Sequence, residues 1–174
     1  LIMANHNKDG KFDRPQPYLY HPYEFFFCGF SNSGKTTLMA SVVEVLSEKY
    51  DIGCVKHCSH NFDFDREGKD SWKFTNAGAQ SVILSAPGRW AGHNQMELGK
   101  FERSTILNQS DFVLAEGAKN QTGNKIVVID KEETCMAMIA SGEISDVKAL
   151  VGEVEPADCH GLRFFFRDDI QAIG

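Results

Sequence analysis

No stretch of the chain approaches the ~20 consecutive apolar residues needed to span a bilayer, and no amino-terminal apolar run has the length and flanks of a signal peptide. The expectation is a protein that is not integral to a membrane. Cysteine is sparse: Cys28, Cys54, Cys58, Cys135 and Cys159 are an odd count with no CxxC pair, which points to a reduced, cytoplasmic setting rather than a disulfide framework. Positive charge is in deficit. Lys+Arg number 18 against Asp+Glu 24, a net charge of −6, with no polybasic block. That balance argues against coating DNA, RNA or anionic lipid by charge alone and leaves room only for a local basic site.

The 174 residues, 42% apolar and 24% charged, describe a globular chain that can bury roughly 70% of its unfolded surface without metal or disulfide staples. Residues 1–22 are polar, contain Pro15, Pro17 and Pro22 and show no sustained period, so they read as a loose leader or linker. A single domain is expected over residues 23–174. No internal repeat interrupts it.

Order begins at residues 23–28 (YEFFFC), an apolar and aromatic run closed by Gly29, with the length and flanks of a buried strand. Over residues 36–49, Leu38, Met39, Val42, Val43, Val45 and Leu46 recur at three and four, predicting an amphipathic helix. Residues 52–56 and 81–85 read as strands with a short helix at 70–77 between them, and Pro87 with Gly88 marks a turn. A helix is predicted over 98–109, buried strands over 112–115 and 125–129, further strands over 134–139 and 162–166, and a helix start at Asp168 and Asp169. Strands alternating with helices predict an α/β fold, a mostly parallel sheet flanked by helices, with any ligand at the strands' carboxyl ends.

Residues 29–36, GFSNSGKT, satisfy GxxxxGK[ST] at every fixed position, between a predicted strand and a predicted helix. This is the phosphate loop of an NTPase. Gly29 and Gly34 permit the tight turns that aim successive N–H groups, through Ser31, Asn32 and Ser33, at an anion, and the helix starting near Lys35 adds its positive dipole end. Lys35 is expected to bridge the outer phosphates, Thr36 to ligate Mg²⁺ and Thr37 to touch the inner phosphate. A carboxylate must steady the metal. Two candidates arise: Glu116, at the tip of the apolar FVLA run and before Gly117, and Asp65, in the loop after the second strand. Solvated loop acids are the alternative for both.

Residues 54–79, CVKHCSHNFDFDREGKDSWKFTNAGA, concentrate His, Asp and Lys directly after a buried strand. With the phosphate loop, the pattern of Lys56, His57, His60, Asp63, Asp65, Gly68, Lys69, Asp70, Ser71, Ala77, Gly78 and Ala79 resembles the molybdopterin-guanine dinucleotide biosynthesis protein B family. Arg89, Trp90 and Ala91, then Glu116, Gly117 and Lys119, continue it, so the resemblance runs over residues 25–130. It implies a phosphate-loop fold and a homodimer that binds GTP and Mg²⁺, hydrolyses GTP weakly and partners the guanylyltransferase attaching GMP to molybdopterin. It also implies that Gly29, residues 32–37, Asp65 and Glu116 hold nucleotide and metal, the two acids in the catalytic positions. Lys69, Asp70 and Ser71 would line the neighbouring groove. His57 and His60 either bond phosphate or pterin groups or are satisfied loop histidines, and Arg89 with Trp90 either faces a partner or pterin ring or packs.

No Asn-Lys-x-Asp box for reading guanine is present; Asn124, Lys125, Ile126 and Val127 are the nearest match. Nor is there a committed catalytic base or cis arginine finger, Arg89 being the nearest stand-in, so slow hydrolysis is expected. Two readings compete with the resemblance. An ATP-dependent small-molecule kinase would hold its acceptor near Asp65 and Lys69, but the sequence shows no arginine-rich lid. A metal chaperone would use Cys54, His57, Cys58 and His60, yet period-two alternation over residues 52–56 predicts that Cys54 points into the sheet.

Overall fold

Three consecutive phenylalanines set the centre of the sheet. Phe25, Phe26 and Phe27 of strand β1 (Glu24–Cys28) are all buried. Successive strand residues face opposite ways, so Phe25 and Phe27 join one core with Leu38, Val42, Leu114 and Ile126. Phe26 and Cys28 join a second with Val113, Ala115, Val127 and Leu150. A strand apolar on both faces belongs at the middle of a parallel sheet covered by helices on both sides. The computed structural model describes residues 19–58, 62, 65–96 and 98–174.

The described chain forms two compact units, one holding residues up to 57 and 100–174, the other residues 58–99. The first contains strands β2 (Ile52–Lys56), β5 (Phe112–Glu116), β6 (Asn124–Val128), β7 (Val147–Gly152) and β8 (Arg163–Phe166) beside β1. Their order is β2-β5-β1-β6-β7-β8, and every neighbouring pair is parallel. The sheet expected from the sequence is therefore present. Helices α1 (Lys35–Leu46), α3 (Lys100–Leu107), α4 (Glu132–Ala140) and α5 (Ile170–Ile173) supply its layers. On α1 the buried residues are Leu38, Met39, Val42 and Leu46, one stripe along the helix. Burying each such side chain contributes roughly 1.5–3 kcal/mol, which outweighs the few tenths that Val42 and Val43 cost in helix propensity.

Residues 19–22, the end of the leader expected to be loose, are held down. The Glu24 carboxylate is buried and accepts the Leu19, Tyr20 and His21 backbone N–H groups at 2.6, 2.6 and 3.0 Å. A carboxylate out of water needs such donors, so burying Glu24 fixes the segment before it.

The second unit contains helix α2 (Asp70–Asn76) and an antiparallel ribbon of β3 (Ser81–Ala86) and β4 (Arg89–Asn94), turned by Pro87 and Gly88. This corrects the expectation that residues 81–85 join the parallel sheet. Their partner is β4, whose RWAGHN has too little apolar alternation to read as a strand. Residues 134–139 are also corrected: they lie within α4, and the strand of that region is β7, seen only in the structure. Met, Ala and Glu favour helix, but a short apolar run does not separate a buried helix from a buried strand by period alone.

Candidate functional site

The sheet's carboxyl end at β1 is a topological switch point, because β1 is flanked by β5 on one side and β6 on the other. The chain leaves β1 there through the glycine loop. Gly29 has φ +147°, and a Cβ on it would lie 2.6 Å from the Val128 carbonyl oxygen, so only glycine threads between β1 and β6. Asn32 and Gly34 also take left-handed conformations, at φ 64° and 83°. The Ser33 N–H closes the loop onto the Phe30 carbonyl at 3.2 Å, and Ser33 is buried. Gly34 is the N-cap of α1, with no capping side chain and no acid in the first turn. The helix's leading N–H groups and its positive dipole end are thus left for an anion. The Lys35 ammonium lies within the loop, donating to the Phe30 carbonyl and, at 3.3 Å, to Ser33 Oγ. Ser31 and Thr37 are exposed on the same loop and first helical turn.

Glu116, at the carboxyl end of β5, is in register with Phe27 of β1 and Lys56 of β2. Strand pairing thereby brings it beside the loop. Thr36 Oγ1 donates to Glu116 Oε2 at 2.7 Å, and Lys56 Nζ lies 3.1 Å from the same oxygen and 3.2 Å from Oε1. The side chain is only 15% exposed. Burial alone would raise the carboxyl pKa; the Thr36 and Lys56 hydrogen bonds and the charges of Lys56 and Lys35 overcome it and hold the group below its ordinary value. A hydroxyl and an ionised carboxylate side by side are the hard oxygen donors that Mg²⁺ takes, so the residues fit the metal. His57 follows β2, with its N–H on the Glu116 carbonyl at 2.9 Å and Nδ1 3.3 Å from the Tyr20 hydroxyl. It is a hydrogen-bonded neighbour of the site.

The other expected site residues belong to the second unit. The Asp65 carboxylate accepts the Arg66 N–H at 2.8 Å, Asp70 pairs with Lys73 at 3.1 Å, and Lys69 is the N-cap of α2. Asp65 and Ser71 line a cavity of about 100 Å³ with Val82, Leu84, Ala91, Gly92 and His93. Arg89 opens β4 and is exposed, as is Trp90, at 62%. His60 and Asp63 lie outside the described residues. Cys54 is exposed, not turned into the sheet, because β2 is an edge strand. Cys28 is buried, and burial pushes its thiol up to about 11.

One part of the site was not foreseen. A cavity of about 360 Å³ adjoins the phosphate loop, lined by Asn32, Ser33, Ile129, Asp130, Glu132, Glu153, Val154 and Arg167. Arg167, just beyond β8, leans over the loop: a Cβ on Gly34 would meet its Nη1 at 2.6 Å. Its Nη2 reaches the Ile129 carbonyl at 3.5 Å, while its buried Nε has no hydrogen-bond partner. Arg167 thus places an arginine beside the loop within the first unit. No motif pointed to Asp130, Glu153 or Arg167; the rule that ligands gather at strand carboxyl ends gives only the end of the sheet. The partial guanine-box match is excluded by position. Asn124 and Lys125 open β6, at the opposite end of the strand, and Lys125 is buried with Nζ on the Ser145 carbonyl at 2.9 Å.

Sheet order, glycine loop, lysine, threonine and strand-end glutamate together define a phosphate-loop NTPase fold, a fold that suggests nucleotide binding. The family model for molybdopterin guanine dinucleotide synthesis protein B (MobB) matches residues 25–153, and the chain belongs to that family. The molybdopterin-guanine dinucleotide biosynthesis adapter proteins of Haemophilus influenzae and Escherichia coli are 35% and 31% identical over 111 and 109 residues, 61% and 59% of this chain. The matched part spans 62% of each of those two proteins' own length. A probable adapter protein of Bacillus subtilis is 28% identical over 83% of this chain and 86% of its own. The crystal structure of Bacillus subtilis MobB superposes with a TM-score of 0.71 at 26% identity, covering 86% of this chain and 93% of that one. The family resemblance read from the sequence holds. Among the described residues, no helix is long and apolar enough to cross a membrane.

Proposed function

We propose that the chain binds GTP with Mg²⁺ at the phosphate loop and acts as an adapter to the guanylyltransferase that converts molybdopterin to molybdopterin guanine dinucleotide. The observation that carries the nucleotide site is the Thr36 hydroxyl on Glu116, beneath a helix start left open to an anion. The loop backbone from Gly29 through Ser31, Asn32 and Ser33 to Gly34 holds the phosphates, Lys35 neutralises the outer ones and Thr37 touches the inner one. Mg²⁺, when bound, supplies charge neutralisation on the phosphates. Thr36 and Glu116 are the residues that would hold it, with Asp65 as the further acid on the strength of the family pattern.

Asp65, Lys69, Asp70, Ser71, Arg89 and His57 are carried as ligand contacts on the strength of the family pattern, with molybdopterin as the further ligand. No sequence motif marks a committed general base or cis arginine finger, so GTP hydrolysis by the chain alone is slow, and the partner supplies any acceleration. The setting is the cytoplasm, where the chain's thiols stay reduced.

A second copy of the chain is the expected homodimer partner. An isolated two-stranded ribbon is marginal in water, and β3–β4 exposes Ile83 at 70%, Leu84 at 53% and Trp90 at 62%.

The test is guanylyl transfer to molybdopterin by the purified guanylyltransferase at limiting GTP. Addition of this chain raises the rate, and the Lys35→Ala variant does not. A rate that the wild-type chain leaves unchanged contradicts the adapter role.

A further inference from the structure

The cavity between the phosphate loop and the turns after β6 and β7 has a composition that phosphate binding does not explain. Its floor is the loop itself, at Asn32 and Ser33, and its walls are Asp130 just past β6, Glu153 just past β7 and Arg167 just past β8. Two carboxylates would repel a phosphate chain, so this end serves a different part of the ligand. At about 360 Å³ it falls within the roughly 300–1,000 Å³ of small-molecule sites. Asp130 and Glu153 are both exposed, and among the described residues neither side chain is committed to an ion pair. Glu132 is engaged with the β7–β8 connection, where its Oε1 accepts the Ala157 N–H at 3.3 Å.

Resting on the GTP reading above, we infer that this cavity seats the nucleobase and that Asp130 and Glu153 make it a guanine site. Guanine presents two adjacent donors, the N1–H and the 2-amino group. Ionised carboxylates are acceptors only and match that edge. Adenine presents N1 as an acceptor in the same place and has no 2-amino group. A carboxylate set against it meets a lone pair, which is rejection by an unpaired, repelled group rather than by size. Arg167 forms the wall between phosphates and base. Its planar guanidinium, which lines the cavity, offers a stacking face to the ligand. Guanine recognition then needs no Asn-Lys-x-Asp box, because the acceptors come from the ends of two neighbouring strands.

The experiment is calorimetric titration of the full chain with GTP, ATP, xanthosine triphosphate and inorganic tripolyphosphate, each with Mg²⁺, for wild type, Asp130→Asn, Glu153→Gln and the double variant. Tripolyphosphate reports the phosphate loop alone. The double variant is expected to lose at least about tenfold of the GTP-over-ATP preference, with tripolyphosphate affinity within about twofold of wild type. Xanthosine triphosphate, whose 2-carbonyl accepts where guanine donates, gains in a variant whose new amide can donate to it. A wild type that prefers GTP, with that preference intact in the double variant, overturns this inference and leaves the phosphate-site reading standing. A wild type that binds GTP and ATP equally overturns the guanine assignment, and one that binds neither nucleotide nor tripolyphosphate overturns the phosphate-site reading as well. Arg167→Ala separates wall from reader: it weakens GTP and ATP together, and a selective loss of GTP alone contradicts the role given to the carboxylates.

Discussion

Thr36 and Glu116, 80 residues apart in the chain, are joined by a 2.7 Å hydrogen bond from hydroxyl to carboxylate. Thr36 is in the first turn of the helix after the loop, and Glu116 ends a strand next to β1. Parallel pairing of β1 with β5 sets the two groups level, so the sheet's register is what brings hydroxyl and carboxylate together. Glu116→Gln keeps the shape of the side chain and removes its charge. We predict a loss of about 10–100-fold in Mg²⁺-dependent GTP affinity, measured by titration with and without Mg²⁺.

The same carboxylate sets a pH dependence. Its folded pKa is held below the ordinary 4.5, so the unfolded chain takes up the proton first as pH falls. The stabilisation is fully present above that ordinary value and is lost as pH drops through the lower folded one. Urea unfolding of wild type and Glu116→Gln from pH 7 to pH 3 is expected to show a stability gap above pH 4.5 that closes below it. A gap that widens on acidification contradicts the arrangement of Thr36, Lys56 and Glu116.

Gly29 tests the loop's backbone. An alanine there takes a φ of +147° and places its Cβ 2.6 Å from the Val128 carbonyl oxygen, a clash with backbone rather than with a flexible side chain. Gly29→Ala is expected to destabilise the fold by about 1–3 kcal/mol and to weaken nucleotide binding as the loop shifts. Gly142→Ala is the control, since a Cβ there meets nothing within 4 Å although its φ is also positive. It should cost less and leave binding intact.

For the homodimer, Trp90 is the side chain to remove. An exposed tryptophan on a ribbon that cannot stand alone fits an interface anchor. Trp90→Ala is predicted to raise the dimer dissociation constant about 30-fold or more, read by sedimentation. A wild-type chain that stays monomeric at high concentration removes that role for the ribbon.

Most of the sheet could be read from residue order because its inner strands are apolar on both faces and bounded by turn residues. YEFFFC, FVLAE and KIVVI leave no other place for themselves. The phosphate loop was legible because its chemistry demands fixed residue types at fixed spacing. Strand β4 was not, since RWAGHN gains its structure from pairing with β3 rather than from its own pattern. Residues 134–139 read as a strand and are helix α4, and strand β7 was not read at all, for the same reason: Cys135 and Ile139 pack as a helix face in a core that only tertiary contacts define. Arg167 and Glu153 carried no motif at all. They reach the site because β7 and β8 end beside it, a fact of strand order that spacing along the chain does not encode.

The central claim is that the phosphate loop binds GTP with Mg²⁺ through Lys35, Thr36 and Glu116. It is tested most directly by calorimetric titration of the purified chain with GTP, with and without Mg²⁺, beside Lys35→Ala. The account predicts saturable one-to-one binding that strengthens with Mg²⁺ and is abolished in Lys35→Ala. Equal GTP affinity in wild type and Lys35→Ala would contradict it, because the nucleotide would then be held somewhere other than this loop.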